Sequence, residues 1–147
     1  MMKTFFAVSL TFLLMGCAGT RPARMDVTNG KFIPCPDSPN CVSSQSSDQL
    51  HAIEPLSYKG TPSEARARLL AVIKGMKRAN IVTEQENYIH AEFTSAIFRF
   101  VDDAEFYIDD TQKIIHIRSA ARLGYYDFGV NRQRMEMIRQ LFNSASP

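Results

Sequence analysis

An alternating pattern of apolar residues runs through residues 97–119, whose sequence is I-F-R-F-V-D-D-A-E-F-Y-I-D-D-T-Q-K-I-I-H-I-R-S. Apolar side chains take every second position in three runs of this stretch: Phe98 and Phe100, Phe106 and Ile108, Ile115 and Ile117. Successive side chains of a strand point to opposite faces of a sheet, so the alternation predicts strands with one dry and one wetter face. The short polar breaks predict antiparallel neighbours joined by hairpins. The acidic pairs at 102–103 and 109–110 are interpreted as turn residues.

A helix is predicted upstream of the sheet. T-P-S-E at 61–64 is a strong helix start, with Thr61 as N-cap, Pro62 at the first helical position and Glu64 completing a capping box. We expect this helix to end near Ala79, with Asn80 in a left-handed conformation. Strands are predicted at 51–58, 81–84, 88–93, 97–101, 105–108 and 113–119.

A second helix at 130–142 gives the element order β-α-β-β-β-β-β-α. The chain is therefore predicted to be an α+β protein, with an antiparallel sheet of about five to six strands packed with two helices. Its 147 residues, 45% of them hydrophobic and 22% charged, suit one globular domain, placed at 32–143, followed by a frayed tail at 144–147. The net charge of +2 is too small for a nucleic-acid-binding domain.

The N-terminus predicts export and lipid attachment. M-M-K at 1–3 precedes a largely apolar run at 5–14, which is shorter than the roughly 20 residues of a membrane-spanning helix. L-M-G-C at 14–17 resembles the lipobox of bacterial lipoproteins, which implies removal of residues 1–16 as a signal peptide and acylation of Cys17. Ala18, in place of an Asp, implies sorting to the outer membrane, with the domain facing the periplasm. The alternative is an ordinary secretory signal in which Cys17 has no role.

Residues 17–31 are interpreted as the lipidated N-terminus and a flexible tether, because they lack apolar periodicity. N-G at 29–30 predicts a turn near the end of this segment. The domain would then lie close to the membrane that holds its anchor.

Two cysteines, Cys35 and Cys41, remain when Cys17 is set aside. An even pair in an oxidising compartment most simply forms a disulfide. A redox or metal site is the alternative. The five residues between the two cysteines fit neither a C-x-x-C redox motif nor the usual zinc spacing.

Two segments carry a family resemblance. C-P-D-S-P-N-C-V-S-S at 35–44 and I-H-I-R-S-A-A-R-L-G-Y-Y-D-F-G-V-N-R-Q-R at 115–134 are similar to the bacterial and plastid family catalogued as domain of unknown function 1499. The similarity spans residues 33 to 142. It implies that these segments form the family's signature, but it implies no activity.

The wetter face of the predicted sheet supplies the candidate site. If Ile115 and Ile117 are buried, His116 and Arg118 project together to the opposite face, where Arg99 is expected to join them. A glycine- and tyrosine-rich loop then leads to the N-terminus of the last helix. The candidate ligand-binding residues are His116, Arg118, Arg122, Tyr125, Asp127, Asn131 and Arg132.

This motif has two interpretations. Clustered arginines beside a helix N-terminus suit a carboxylate or phosphate group, with Tyr125 or Tyr126 as the wall of a small pocket. In the second interpretation, which we favour, Asp127 caps the last helix or pairs with Arg118 or Arg122, and the motif fastens the loop to the sheet.

Motifs for nucleophilic, metal-dependent or phosphate-loop catalysis are not found in the sequence. His51, His90 and His116 fall at strand positions without ligand spacing, so neither a metal nor a cofactor is expected. We expect an outer-membrane-anchored lipoprotein that acts as a non-catalytic binding or assembly module, with an envelope protein as partner. The alternative is a periplasmic binder of a small anionic ligand through the loop at 118–132. An enzyme without a recognisable motif is the least favoured class.

Overall fold

The computed structural model of the chain describes residues 19–145. The predicted signal peptide at 1–16, the acylation site Cys17 and the last two residues of the predicted tail lie outside the described residues. The strands are β1 (Cys41–Ser43), β2 (Leu56–Ser57), β3 (Ala79–Glu84), β4 (Tyr88–Thr94), β5 (Val101–Asp109) and β6 (Ile114–Ala121). The helices are α1 (Pro62–Gly75) and α2 (Val130–Ser144).

The strands form one six-stranded sheet in which all pairs are antiparallel. Its order is β1-β6-β5-β4-β3, and β2 pairs with β6 beyond the end of β1. Consecutive strands from β3 to β6 are neighbours, as expected for hairpin connections. The predicted α+β class, with an antiparallel sheet and two helices, is confirmed.

Both helices pack on one face of the sheet, where they close the hydrophobic core. Its most deeply buried side chains from strands and helices are Ile89, Ala91, Phe106, Ile115, Ile117, Leu69, Ile73, Met135, Ile138 and Phe142. Burial of each large apolar side chain contributes about 1.5 to 3 kcal/mol to stability. The alternation of apolar residues in β5 and β6 is thus the pattern of a sheet with one face against helices.

The first helix begins as predicted and ends earlier. The N–H of Glu64 donates to Thr61 Oγ1 at 3.2 Å and the N–H of Thr61 donates to Glu64 Oε2 at 2.8 Å, which completes the capping box. The prediction that the helix extends to Ala79 is wrong, because β3 already begins there. The left-handed residue is Arg78, with φ of 58°, rather than Asn80.

One strand lies elsewhere than predicted. Residues 95–100 form an exposed loop between β4 and β5, so the strand predicted at 97–101 is wrong apart from its last residue. Phe98 and Phe100 stack on each other with ring centroids 5.5 Å apart, so their alternation reflects a local contact. The acidic pair at 102–103 belongs to β5 and does not form a turn.

The edge of the sheet beside β6 also differs from prediction. β1 (Cys41–Ser43) is a strand that the sequence did not predict, and only Leu56–Ser57 of the predicted strand at 51–58 is a strand. Pro55 has no N–H to give to a sheet, so the strand begins after it. The turn predicted at 109–110 starts only after Asp109, the last residue of β5, whose carboxylate accepts the backbone N–H of Thr111 at 2.9 Å.

The N-terminal segment of the described chain contacts the sheet face opposite the helices. Thr28 and Lys31 exchange two backbone hydrogen bonds of 3.0 Å around Asn29 and Gly30, whose φ values are 51° and 75°. This is the hairpin turn that N-G predicts. Gln45 Nε2 donates to the carbonyl of Gly30 at 2.7 Å. The segment from 19 to 31 therefore follows the surface of the domain, which a free coil would not do.

The last helix begins at Val130 as predicted and continues to Ser144, the first residue of the predicted tail. Ser144 Oγ donates back to the carbonyl of Gln140 at 2.7 Å. Within residues 19–145, no helix is long and apolar enough to cross a membrane.

Candidate functional site

The sheet face opposite the helices carries a set of polar side chains that is largely buried. We call it the polar face. Register places its members on three neighbouring strands: Tyr88, His90, Glu92, Asp103, Glu105, Tyr107, His116 and Arg118. Sequence analysis found only His116 and Arg118 of this set. The alternating patterns Y-x-H-x-E at 88–92 and D-x-E-x-Y at 103–107 were the signal for the others.

Arg118 is paired inside the protein. Its Nη1 donates to Glu105 Oε2 at 2.9 Å, and the hydroxyl of Tyr88 donates to Glu105 Oε1 at 2.8 Å. Burial raises the pKa of the Glu105 carboxyl above its usual value, although Arg118 acts in the opposite direction. Burial and the neighbouring Glu105 raise the pKa of the Tyr88 phenol. Arg118, Glu105 and Tyr88 thus form a buried, hydrogen-bonded group.

Arg122 holds two carboxylates. Its Nε and Nη2 donate to the two oxygens of Asp103 at 2.7 Å each, and Nη2 also donates to Glu92. His90 Nε2 lies 2.7 Å from Asp103 Oδ1, and Arg21 Nε donates to Glu92 at 2.8 Å. Burial alone would raise the pKa of Asp103, but the hydrogen bonds from Arg122 and His90 hold it below its usual value. The network fastens the loop after β6 and the N-terminal segment to the sheet.

Asp127 caps the last helix. Its carboxylate accepts the backbone N–H of Gly129 and the backbone N–H of Asn131, both at 2.9 Å. Asn131 is fully buried and accepts a hydrogen bond from Ser119 of β6. The N–H groups offered to an anion in the sequence-based hypothesis are thus taken by a carboxylate of the protein itself.

Arg132 points away from the other two arginines. Its guanidinium donates to the carbonyl of Ala52 at 2.7 Å and to that of Leu50 at 3.0 Å, which ties α2 to the loop before β2. Arg99 lies in the exposed loop at 95–100, so the prediction that it joins the polar face is wrong. Arg118, Arg122 and Arg132 therefore have three separate sets of partners.

His116 contacts a serine. Its Nδ1 lies 3.2 Å from Ser44 Oγ, and its ring stacks on that of Tyr107 with centroids 6.2 Å apart. Ser44 Oγ also accepts the backbone N–H of Ile117 at 2.9 Å. Burial lowers the pKa of His116. A serine and a histidine in contact are two parts of a hydrolytic triad, but within residues 19–145 no carboxylate is hydrogen-bonded to this ring to orient it.

The cysteines of the sequence pair are joined. Cys35 and Cys41 form a disulfide with their Cα atoms 5.7 Å apart, which confirms the predicted pairing. A cavity of about 400 Å³ lies beside it, lined by residues 31–35 and by residues 43 and 45–48. Among residues 19–145, no group of three His, Cys, Asp or Glu side chains is placed to hold a metal ion.

Exposed apolar side chains gather at one end of the sheet. The loops at 95–100 and 122–129 meet there, since the N–H of Arg122 donates to the carbonyl of Val101 at 3.2 Å. We call this surface the aromatic end. Its exposed apolar members are Ile97, Phe98, Phe100, Leu123, Tyr125, Tyr126 and Phe128. Tyr125 is 73% exposed and Tyr126 57%, so neither tyrosine walls a pocket as the anion hypothesis requires.

A protein-family model matches residues 31–142, and its description is Protein of unknown function (DUF1499). The chain belongs to this family. The DUF1499 match includes the disulfide, the paired arginines and the cap of α2. It begins after Arg21, so the contact of the N-terminal segment with Glu92 lies outside it. A search of curated proteins finds no match to the chain.

Proposed function

We propose that this DUF1499 protein is an envelope lipoprotein that acts as a non-catalytic binding or assembly module. In this proposal acyl chains on Cys17 hold it on the outer membrane, and the domain faces the periplasm. The export signal and L-M-G-C at 14–17 support the anchor. The Cys35–Cys41 disulfide fits a compartment that is oxidising.

The aromatic end is the observation that carries the binding role. Soluble domains rarely leave several large apolar side chains exposed together, and such patches mark interaction surfaces. Phe98, Tyr126 and Phe128 are each more than half exposed. Aromatic side chains bury much area at little cost in conformational entropy, which suits them to binding.

The same geometry argues against the anionic-ligand alternative. Arg118 is 7% exposed and Arg122 is held by two carboxylates, so phosphate would have to displace buried partners to reach either. Arg118 Nε is the one buried side-chain polar atom without a partner within the described residues. The adjacent Glu105 carboxylate would repel an anion there.

The anchor is tested by a Cys17→Ser variant expressed in a bacterium that lipidates its envelope proteins. The wild-type chain is expected to take up labelled acyl chains and to sediment with membranes, and the variant is expected to do neither. A variant that still sediments and has an unchanged mass would show that Cys17 is not acylated. The Cys35→Ser/Cys41→Ser variant is the matched control, because it removes the other two cysteines without touching the anchor.

The binding role is tested by hydroxyl-radical footprinting of the protein in isolated envelopes and after purification. Tyr125, Tyr126 and Phe128 are expected to be oxidised less in envelopes than in the purified protein. Met137 of α2 is 53% exposed and is the control, because it lies on the solvent side of a helix. Equal oxidation of the aromatic end in both preparations would contradict a binding role for this surface.

A further inference from the structure

The described chain begins at the aromatic end. Gly19 has a φ of 69°, and a Cβ built on it would lie 2.9 Å from Arg122 Cβ and 3.0 Å from Leu123 Cγ. Gly19 is therefore packed tightly on the loop that carries the exposed tyrosines. The backbone hydrogen bonds around the turn at 28–31 and the Arg21 contact with Glu92 hold the segment that follows.

Covalent geometry places the anchor close to this surface. Cys17 precedes Gly19 by two residues, and two residues of extended chain span at most about 7 Å. The Cα of Cys17 can therefore lie no further than about 7 Å from the Cα of Gly19, which packs on Leu123. Covalent geometry thus ties the proposed anchor to the loop at 122–129, one of the two loops of the aromatic end.

We infer that the aromatic end lies against the phospholipid surface to which Cys17 is anchored, with its loops in the headgroup region. This inference rests on the proposed function and names the lipid surface as the partner of the same site. Phenylalanine, tyrosine and leucine side chains are the types that bind at the boundary between headgroups and acyl chains. The side chain of Ile97 is 81% exposed, so it enters this boundary without any change of fold.

The charges around the aromatic end fit anionic headgroups. Arg78 directly precedes β3, and its Nε donates to the carbonyl of Thr94 at the end of β4 at 3.0 Å, while Arg99 lies in the loop that follows β4; both arginines are exposed. The nearest carboxylates are occupied: Glu92 by two arginines, Asp103 by Arg122 and Asp127 by the N-terminus of α2. The unpaired exposed charge at this end is positive, which anionic phospholipids attract.

Acylation and these side chains would act together. Acyl chains on Cys17 would hold the protein on the membrane, and apolar contacts at the interface would add to this binding. Because two residues separate Cys17 from Gly19, which packs on Leu123, both contacts could form at once, which raises the effective concentration of the second contact. The domain would then be held in one orientation, with the hairpin at 109–113 turned away from the lipid.

The test uses the absence of tryptophan from the sequence. The variants Phe98→Trp and Tyr126→Trp each place a single fluorescent probe in the aromatic end, and Gln112→Trp places one in the exposed hairpin at the opposite end of the sheet. The mature protein, purified from the envelope, is reconstituted in vesicles of phosphatidylethanolamine and phosphatidylglycerol with brominated acyl chains. We expect the first two probes to be quenched and blue-shifted, and the Gln112→Trp probe to be unaffected.

Mass spectrometry of the same samples separates this inference from the proposed anchor. If the protein is acylated and sediments with vesicles while the Phe98→Trp and Tyr126→Trp probes stay unquenched, the inference is overturned and the anchor stands. If no acyl group is found but the probes are quenched on adding vesicles, the anchor is wrong and the lipid contact is supported. If neither is found, both are wrong.

An envelope protein as the occupant gives a different result. The Phe98→Trp probe would then be shielded from iodide in isolated envelopes but not quenched by brominated lipid in vesicles, and the lipid contact would be overturned. Leaving phosphatidylglycerol out of the vesicles tests the charge argument. In vesicles without phosphatidylglycerol, quenching of the Phe98→Trp probe should weaken. In a variant that also carries Arg78→Gln and Arg99→Gln, quenching should not depend on phosphatidylglycerol.

Discussion

Arg118 Nη1 donates to Glu105 Oε2 at 2.9 Å across the pair of strands that places the two residues opposite each other. Both side chains are more than nine-tenths buried. Desolvation offsets most of the attraction in such a pair, so its presence says little about net stability. Loss of one partner is costly, because the other charge is left without compensation inside the protein.

Replacement of Arg118 is therefore expected to destabilise the fold. In Arg118→Gln the free energy of unfolding at pH 7 should fall by about 3 kcal/mol, because the Glu105 carboxylate keeps only the hydroxyl of Tyr88. Urea unfolding with and without millimolar phosphate measures the change. A stable variant that has lost a phosphate-dependent shift seen in the parent would support the anionic-ligand alternative. The Glu105→Gln/Arg118→Gln double variant should recover part of the loss, since no buried charge remains.

Arg122 predicts a pH dependence. Burial acts to raise the pKa values of Asp103 and Glu92, but hydrogen bonds from Arg122 lower them. Both pKa values stay below their ordinary values, which are 3.8 for Asp103 and 4.5 for Glu92. A carboxyl with a depressed pKa adds stability above its unfolded pKa, and this stability is lost as the pH falls through the folded pKa. The loss in Arg122→Gln should thus be greatest, about 3 kcal/mol, above about pH 5 and should shrink below about pH 4.

The comparison is made by urea unfolding of both proteins from pH 7 down to pH 3. Burial raises the pKa values of Asp102 and Glu105, so these two carboxyls lower the free energy of unfolding as the pH rises. Both groups are present in both proteins, so their contribution cancels in the difference. Arg99→Gln is the control, because this arginine is exposed in the loop at 95–100. A difference that stays constant over the pH range would contradict the ion-pair assignment of Arg122.

The fold could be predicted from the sequence where local chemistry and burial agree. The capping box at 61–64 and the alternation of 115–119 each involve near neighbours, and both predictions are confirmed. The loop at 95–100 shows the opposite case. Its alternating phenylalanines resemble a strand, yet one aromatic contact between Phe98 and Phe100 explains them. A period of two indicates that alternate side chains point to the same side of the chain, but it does not show whether that side is buried in the core.

The site was predicted only in part for a related reason. Asp127 as a helix cap is a local contact four residues from Asn131, and the sequence suggested it. The partners of Arg118 and Arg122 come from β4 and β5, so they depend on strand order and register. Acidic residues at 102–103 were interpreted as a turn, which removed Asp103 from consideration as the partner of Arg122. Register across a sheet is set by the whole core and not by the pair itself.

The disulfide predicts a measurable loss of stability. The closed loop spans a sequence separation of 6, for which loop entropy gives about 2 kcal/mol, and the prolines at 36 and 39 lower this figure because the open loop is already restricted. Thermal unfolding of Cys35→Ser/Cys41→Ser should show a lower midpoint. Dithiothreitol should lower the midpoint of the wild type toward that of the variant and leave the variant unchanged. Two free thiols in the oxidised protein, found by mass mapping, would disprove the bond.

The contact of Gly19 with the loop after β6 can be tested apart from membranes. In Gly19→Ala the new Cβ would overlap Arg122 Cβ at 2.9 Å, and a left-handed φ costs a non-glycine residue about 1 kcal/mol. The N-terminal segment should therefore lift from the sheet. Faster cleavage by trypsin after Arg24 would report this, because Arg24 lies within the segment. The midpoint of global unfolding should change little, because this segment is mostly exposed.

Gly124→Ala is the matched control for this prediction. Gly124 has a φ of 85°, so the backbone cost is similar, but its nearest neighbour for a new Cβ is 3.9 Å away. It should leave the rate of cleavage after Arg24 unchanged. If both variants loosened the segment equally, strain in the loop would explain the effect instead of the packing of Gly19. If neither did, the tight approach of the anchor-bearing segment to Leu123 would be wrong, and so would the geometric step from Cys17 to the aromatic end.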